Sequence, residues 1–149
     1  MSRLEPRISV PGRMPPAAPD LDLEYKQCRS PAGDVWVSYS VSRNIWRIRD
    51  DVLIVDTRHG RDFVVPAGYE TDLSSVPRLA WWLIAPFELS VFAPLGHDPL
   101  YGGLDARYTR AEADLLFLDL MVIELVPRWR RELAYPAVRL RGGPRWRGR

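Results

Sequence analysis

A chain of 149 residues with 46% apolar content and a net charge of +2 is one ordinary domain, long enough to bury a core. Its most apolar run, Leu79–Ala85, is closed by Pro86 and Glu88 and falls short of the roughly 20 apolar residues a membrane span needs, so no transmembrane segment is expected. The N-terminus carries charges and prolines where a secretion signal needs an apolar stretch, so none is expected; the lone Cys28 excludes an intramolecular disulfide and fits a reducing compartment.

In chain order, residues 1–20 hold five prolines and few large apolar groups, and read as an extended or disordered proline-rich arm able to order against a partner. Short strand candidates follow at Leu21–Cys28, Val35–Val41, Ile45–Arg49, Val52–Thr57 and Phe63–Val65, separated by turn-like stretches such as Ser42-Arg43-Asn44 and His59-Gly60-Arg61. Strands this close in sequence most simply form an antiparallel meander. After Gly68 the texture changes. Val76–Ala85 reads as a short helix with Ser75 as its cap and Pro77 in its first turn. The clearest helix is Arg110–Val126: Thr109-Arg110-Ala111-Glu112 is a capping box, and Pro127 closes the far end. Ala113, Leu116, Phe117, Leu120 and Met121 make one stripe at helical spacing, with Asp114 at its edge, where an acid reaches a neighbouring element and keeps some water. A third helical piece, Trp129–Ala134, precedes Pro136. The expected fold is α+β: an N-terminal antiparallel β-meander followed by about three packed α-helices. The domain spans 21–138, with 139–149 as an arginine-rich tail.

The charge is uneven. Residues 128–149 hold eight arginines against Glu132 alone, a balance of +7, so the remaining 127 residues sum to −5. Such a segment suits nucleic acid, an anionic membrane or an acidic partner, or is simply solvated.

The chemistry concentrates in His97-Asp98-Pro99-Leu100-Tyr101 and in Asp114. The chain has two histidines, and His97 lies among carboxylates. An imidazole is a neutral base near cellular pH, and a carboxylate on its far nitrogen fixes the tautomer. Asp114 is the candidate for that partner, because Asp98 is adjacent in sequence and projects elsewhere, where it is available to a cation. Tyr101 falls four residues after His97, on the same face of a helix, and can hydrogen-bond a carboxylate. The competing expectation is a satisfied polar network holding two helices together. Pro94 and Pro99 bear on the choice. A proline inside a helix costs about 3 kcal/mol or more; were Pro99 in a first turn instead, His97 and Asp98 would be capping residues. Asp72, Ser75 and Arg78 read either as turn and cap groups or as binding groups, with Arg78 meeting an anionic group and Asp72 facing the His97 cleft.

The run Pro66-x-Gly68-x-x-Thr71-Asp72-x-x-Ser75-x-Pro77-Arg78, then His97-Asp98-x-x-Tyr101, then Ala113-Asp114-x-x-Phe117, resembles a family of phage and prophage proteins, domain of unknown function 1353, over roughly residues 60–140. The resemblance implies a phage or prophage origin, with the protein in the host cytoplasm or the virion, and carries no established activity. The last two motifs are also similar to the paired active-site helices of phospholipases A2, particularly small viral ones. That likeness implies His97 as the base, Asp98 as a ligand of Ca²⁺ and Asp114 as the support of His97. The glycine-rich calcium loop of those enzymes has no counterpart just upstream of His97.

Three functions are therefore expected to compete. The first is a hydrolase of a lipid or other ester with a His97–Asp114 dyad. The second is a non-catalytic virion or assembly component that binds other phage proteins or itself through its arms. The third is a nucleic-acid accessory protein using residues 128–149.

Overall fold

The computed structural model describes residues 8–9, 25–30, 32–40, 45–71 and 90–148. Within them the strands are β1 (Ile8–Ser9), β2 (Tyr25–Ser30), β3 (Gly33–Ser40), β4 (Ile45–Ile48), β5 (Val52–Asp56), β6 (Arg61–Val65) and β7 (Glu70–Thr71). Three helices follow, α1 (Phe92–Tyr101), α2 (Arg110–Ile123) and α3 (Arg128–Arg141), with a short 3-10 turn at Gly143–Arg145. Antiparallel strands come first and helices last, so the fold is α+β as the sequence predicts.

The strands do not form one meander. β2, β3, β4 and β7 make one sheet in that order, and β1, β5 and β6 make another. The break falls at Arg49-Asp50-Asp51, where a β4–β5 hairpin is expected. β4 instead pairs with β7, Trp46 opposite Thr71 and Arg47 opposite Glu70. Backbone bonds from Gly68 to Ile48 and from Ile48 to Tyr69 extend that edge, and Asp51 accepts the Ala67 amide at 2.7 Å to hold the corner. Val52, Ile54 and Asp56 are buried and Leu53 and Val55 half-buried, so β5 is covered on one face and needs its own partners, which are β1 and β6. Two residues of the arm, Ile8 and Ser9, thus pair within the chain itself.

Both sheets and the helices share one core, in which Val35, Val37, Ile48, Ile54 and Val65 meet Phe92, Leu95, Leu116, Phe117 and Leu120. All five members of the predicted α2 stripe are fully buried. Gly96 allows the close approach of α1: a Cβ there would stand 2.6 Å from Leu120 Cδ1 and 3.2 Å from Ile54 Cδ1.

The helix ends follow their capping chemistry. Thr109 and Glu112 form the expected box at the start of α2. The far end stops at Ile123, short of the expected Val126, because Leu125 turns left-handed at φ 58° and the amides of Leu125 and Val126 bond back to Val122 and Met121. α1 has no side-chain cap of its own. Glu124, buried at the end of α2, supplies one from a distance, accepting the amides of Val91 (2.6 Å), Phe92 (3.0 Å) and Ala93 (3.1 Å) and the Ser90 hydroxyl. A carboxylate on three orphan amides at the positive end of a helix is a strong cap.

Two prolines lie inside helices. Pro99 lies inside α1 and not in its first turn, so His97 and Asp98 are interior helical residues rather than caps. Pro136 lies inside α3, which runs on to Arg141 where an end before Pro136 is expected. Pro136 is on the exposed side, so the carbonyl it leaves without a donor can turn to water. The predicted helix Val76–Ala85 lies outside the described residues. No helix among the described residues is long and apolar enough to cross a membrane.

Candidate functional site

α1 and α2 lie antiparallel, with the start of α1 on Glu124 and its end on Asp114. Helical spacing puts His97 and Tyr101 one above the other on the face of α1 that meets α2. His97 Nε2 lies 2.8 Å from Asp114 Oδ1, and Tyr101 Oη donates to the same oxygen at 2.6 Å. The other oxygen, Oδ2, accepts Arg139 Nη1 of α3 at 2.8 Å. One carboxylate therefore gathers three helices. The imidazole is held between rings, 4.1 Å from Tyr101 and 5.0 Å from Phe117 centroid to centroid.

The end of the chain completes the wall. Trp146 meets Tyr101 edge-on at 5.2 Å, and the Arg147 amide donates to the Tyr101 carbonyl at 2.9 Å. Gly142 passes so close that a Cβ there would lie 2.3 Å from Tyr101 Oη. The segment expected as an arginine-rich tail thus starts inside α3 and contributes Arg139 to the site.

His97 and Asp114 are both 0% exposed. This corrects the expectation that Asp114 keeps some water: α1 and α3 cover it from two sides. Burial pushes the Asp114 carboxyl up, but the hydrogen bonds from His97, Tyr101 and Arg139 outweigh it and hold the group below its ordinary value. Burial, then the bond to Asp114, drives the Tyr101 phenol well above its usual range, so Tyr101 is a fixed donor. Arg139, bonded to Asp114, is raised and stays charged.

The tautomer of His97 follows. An ionised carboxylate only accepts, so Nε2 carries the proton facing Asp114. In the neutral ring Nδ1 then bears the basic lone pair, and it is buried without a hydrogen-bond partner among the described residues. Burying such an atom unpaired costs about 1–3 kcal/mol. An oriented imidazole with one basic nitrogen unengaged meets one requirement of a general base; reach to the reacting proton is the other.

Asp98 points elsewhere, as its place next to His97 predicts, and accepts a hydrogen bond from Thr71 Oγ1 of β7. Ca²⁺ takes 6–8 oxygen ligands, several of them carboxylate, and no three His, Cys, Asp or Glu side chains among the described residues stand together as a metal site. No step below is routed through a metal. Asp72, Ser75 and Arg78 lie outside the described residues.

Residues 46–138 match the family described as Protein of unknown function (DUF1353). The chain belongs to this family. The match takes in β4 to β7, α1, α2 and most of α3, hence His97, Asp98, Tyr101 and Asp114, and begins before the stretch that carries the sequence resemblance. No curated protein and no solved structure matches this DUF1353 chain.

Sequence reasoning missed three groups. Nothing marks Arg139 among eight arginines in residues 128–149. Glu124 had a signal, being a single acid in the apolar run Met121-Val122-Ile123-Glu124-Leu125-Val126. The third is a second cluster at the β5–β6 turn: His59 Nδ1 lies 2.7 Å from Asp56 Oδ2, which also accepts Tyr108 Oη at 3.0 Å. Asp56 three residues before His59 in a turn was the available sign.

Proposed function

We propose that the chain is a hydrolase in which His97 acts as general base on an ester, a phospholipid being the class that the phospholipase likeness suggests. The observation that carries this reading is an imidazole Nδ1 without a hydrogen-bond partner among the described residues, the ring's other nitrogen being fixed by Asp114. In the reaction Nδ1 takes a proton from water as the water oxygen bonds to the ester carbonyl carbon. The imidazolium, stabilised by Asp114, returns that proton to the alkoxide as the carbon–oxygen bond breaks. The test is hydrolysis of phospholipid and nitrophenyl esters, with calcium and with a chelator, since Asp98 is the ligand the likeness implies. Exchanging His97 for alanine should lower the rate by about 10²–10⁴-fold in protein that remains folded by circular dichroism. Residual activity equal to that of the parent would end the reading.

A second reading is favoured by the zero exposure of His97 and Asp114. In it the network only joins α1, α2 and α3, and the protein is a non-catalytic phage virion or assembly component. No hydrolysis by any preparation, together with a lower melting temperature for His97→Ala, supports this one. The nucleic-acid reading has less behind it, because Arg131 and Arg139 turn back to the Val126 carbonyl and to Asp114.

A further inference from the structure

α3 carries apolar groups on two opposite sides. At about 100° per residue, Ala134 and Val138 fall on one side and Trp129, Leu133, Pro136 and Leu140 on the other. The small pair is fully buried, whereas Trp129 is 49% exposed, Leu133 50% and Leu140 83%. A helix serving only its own domain turns its large apolar groups inward; α3 does the reverse. From Trp129 to Leu140 the outer stripe runs about 17 Å. Leu125, 74% exposed, and Val122, 45% exposed, lie just before it in the chain.

Cations flank the stripe. The Arg130 guanidinium lies 5.0 Å over the Trp129 ring on one side. On the other, Arg128 is 84% exposed and binds Glu132, the only carboxylate of α3, at 2.6 Å. Beside the stripe is a groove of about 550 Å³, mostly apolar, lined by Leu118 of α2 and by Arg128, Arg131, Glu132, Tyr135 and Pro136 of α3. Apolar walls with the exposed Arg128 guanidinium at the rim suit the glycerol and phosphate of a lipid headgroup.

We infer that this face of α3 docks on an anionic phospholipid bilayer, lying in the plane of the interface. Trp129, Leu133, Pro136 and Leu140 enter the acyl boundary while Arg128 and Arg130 meet lipid phosphates. Charge selects this occupant over a second copy of the chain, since a two-fold contact through the same face would set arginines against arginines. The inference rests on the helix surface alone and survives if His97 proves inert.

The full chain is sedimented with vesicles of phosphatidylcholine, alone or with ~30% phosphatidylglycerol. Binding should be at least ~10-fold tighter to the anionic vesicles and should weaken as salt is raised. The double variant Leu133→Ser/Leu140→Ser keeps every charge and alters two exposed positions, so its melting temperature should hold while its affinity falls about 10-fold. Three results overturn the inference. One is no sedimentation with either vesicle. Another is an affinity that the double variant leaves unchanged, which assigns binding to the arginines alone. The last is a dimer in light scattering that the double variant dissociates, which makes a second copy the occupant.

Discussion

The two histidines of this chain are held in the same way and surrounded differently. Each bonds a buried aspartate that a tyrosine also reaches: His59 with Asp56 and Tyr108, His97 with Asp114 and Tyr101. His59 and Asp56 are three residues apart in one hairpin turn, and the His59 side chain keeps 14% of its surface in solvent. His97 and Asp114 come from two helices and have none. Asp114 also has Arg139, whereas no arginine bonds Asp56 among the described residues. The first cluster closes a local turn against the α1–α2 connection. The second exists only when α1, α2 and α3 are all in place. A His–Asp distance therefore does not define a site by itself; what else the carboxylate holds, and which ring nitrogen is left over, separates the two.

The sharpest break of this comparison is at the carboxylates. Asp114→Ala strands Arg139, Tyr101 and His97 together, and urea denaturation should show a loss of about 3–5 kcal/mol. Asp56→Ala should cost about 1–3 kcal/mol. Equal losses would mean that the helix network is no more than a second turn lock. At the imidazoles, His97→Ala removes a packed ring and one donor and should cost about 2–3 kcal/mol, against less than about 1 kcal/mol for His59→Ala.

Gly142→Ala tests how tightly Tyr101 is confined. Its Cβ would lie 2.3 Å from the phenol oxygen and 2.8 Å from the Val138 carbonyl, and the overpacking should cost about 1–3 kcal/mol. A silent Gly142→Ala would show that the end of α3 yields freely.

Acid should produce the smallest change. Glu112 accepts the Thr109 amide and bonds Arg61, which hold its carboxyl at about 2 against an ordinary 4.5. A group depressed on folding contributes above its unfolded value and loses that contribution as pH falls toward its folded one. Asp114 is depressed too. The melting temperature should drop as pH falls from about 4.5 toward 2, and less steeply in Glu112→Gln. Because Arg61 also lies 5.0 Å over the Tyr108 ring, that variant loosens the His59 side and leaves the His97 side alone.

How much of this was legible depends on how local each cause is. The capping box at Thr109, the α2 stripe and the β5–β6 hairpin are set by neighbours within a few residues, and the sequence displays them. The sheet exchange at Asp50-Asp51 is not local, since β4 prefers the edge of β7 over that of β5. Pro136 was read as a helix stop by its intrinsic cost, and α3 runs through it; for Pro99 the sequence left both a helix interior and a first turn open, and the interior is observed. His97, Asp114 and Tyr101 were legible because helical spacing aligns them. Arg139 was not, because only the path of α3 past Asp114 picks it out from its neighbours.

Glu124 has a consequence for how the chain is made. The amides of Val91, Phe92 and Ala93 take their acceptor from a residue more than thirty positions later. A nascent chain leaving the ribosome cannot finish the first helix until the second has emerged, so the two should mature as one unit. Hydrogen exchange on the finished protein should then show those three amides opening together with the last turn of α2, and not with the rest of their own helix.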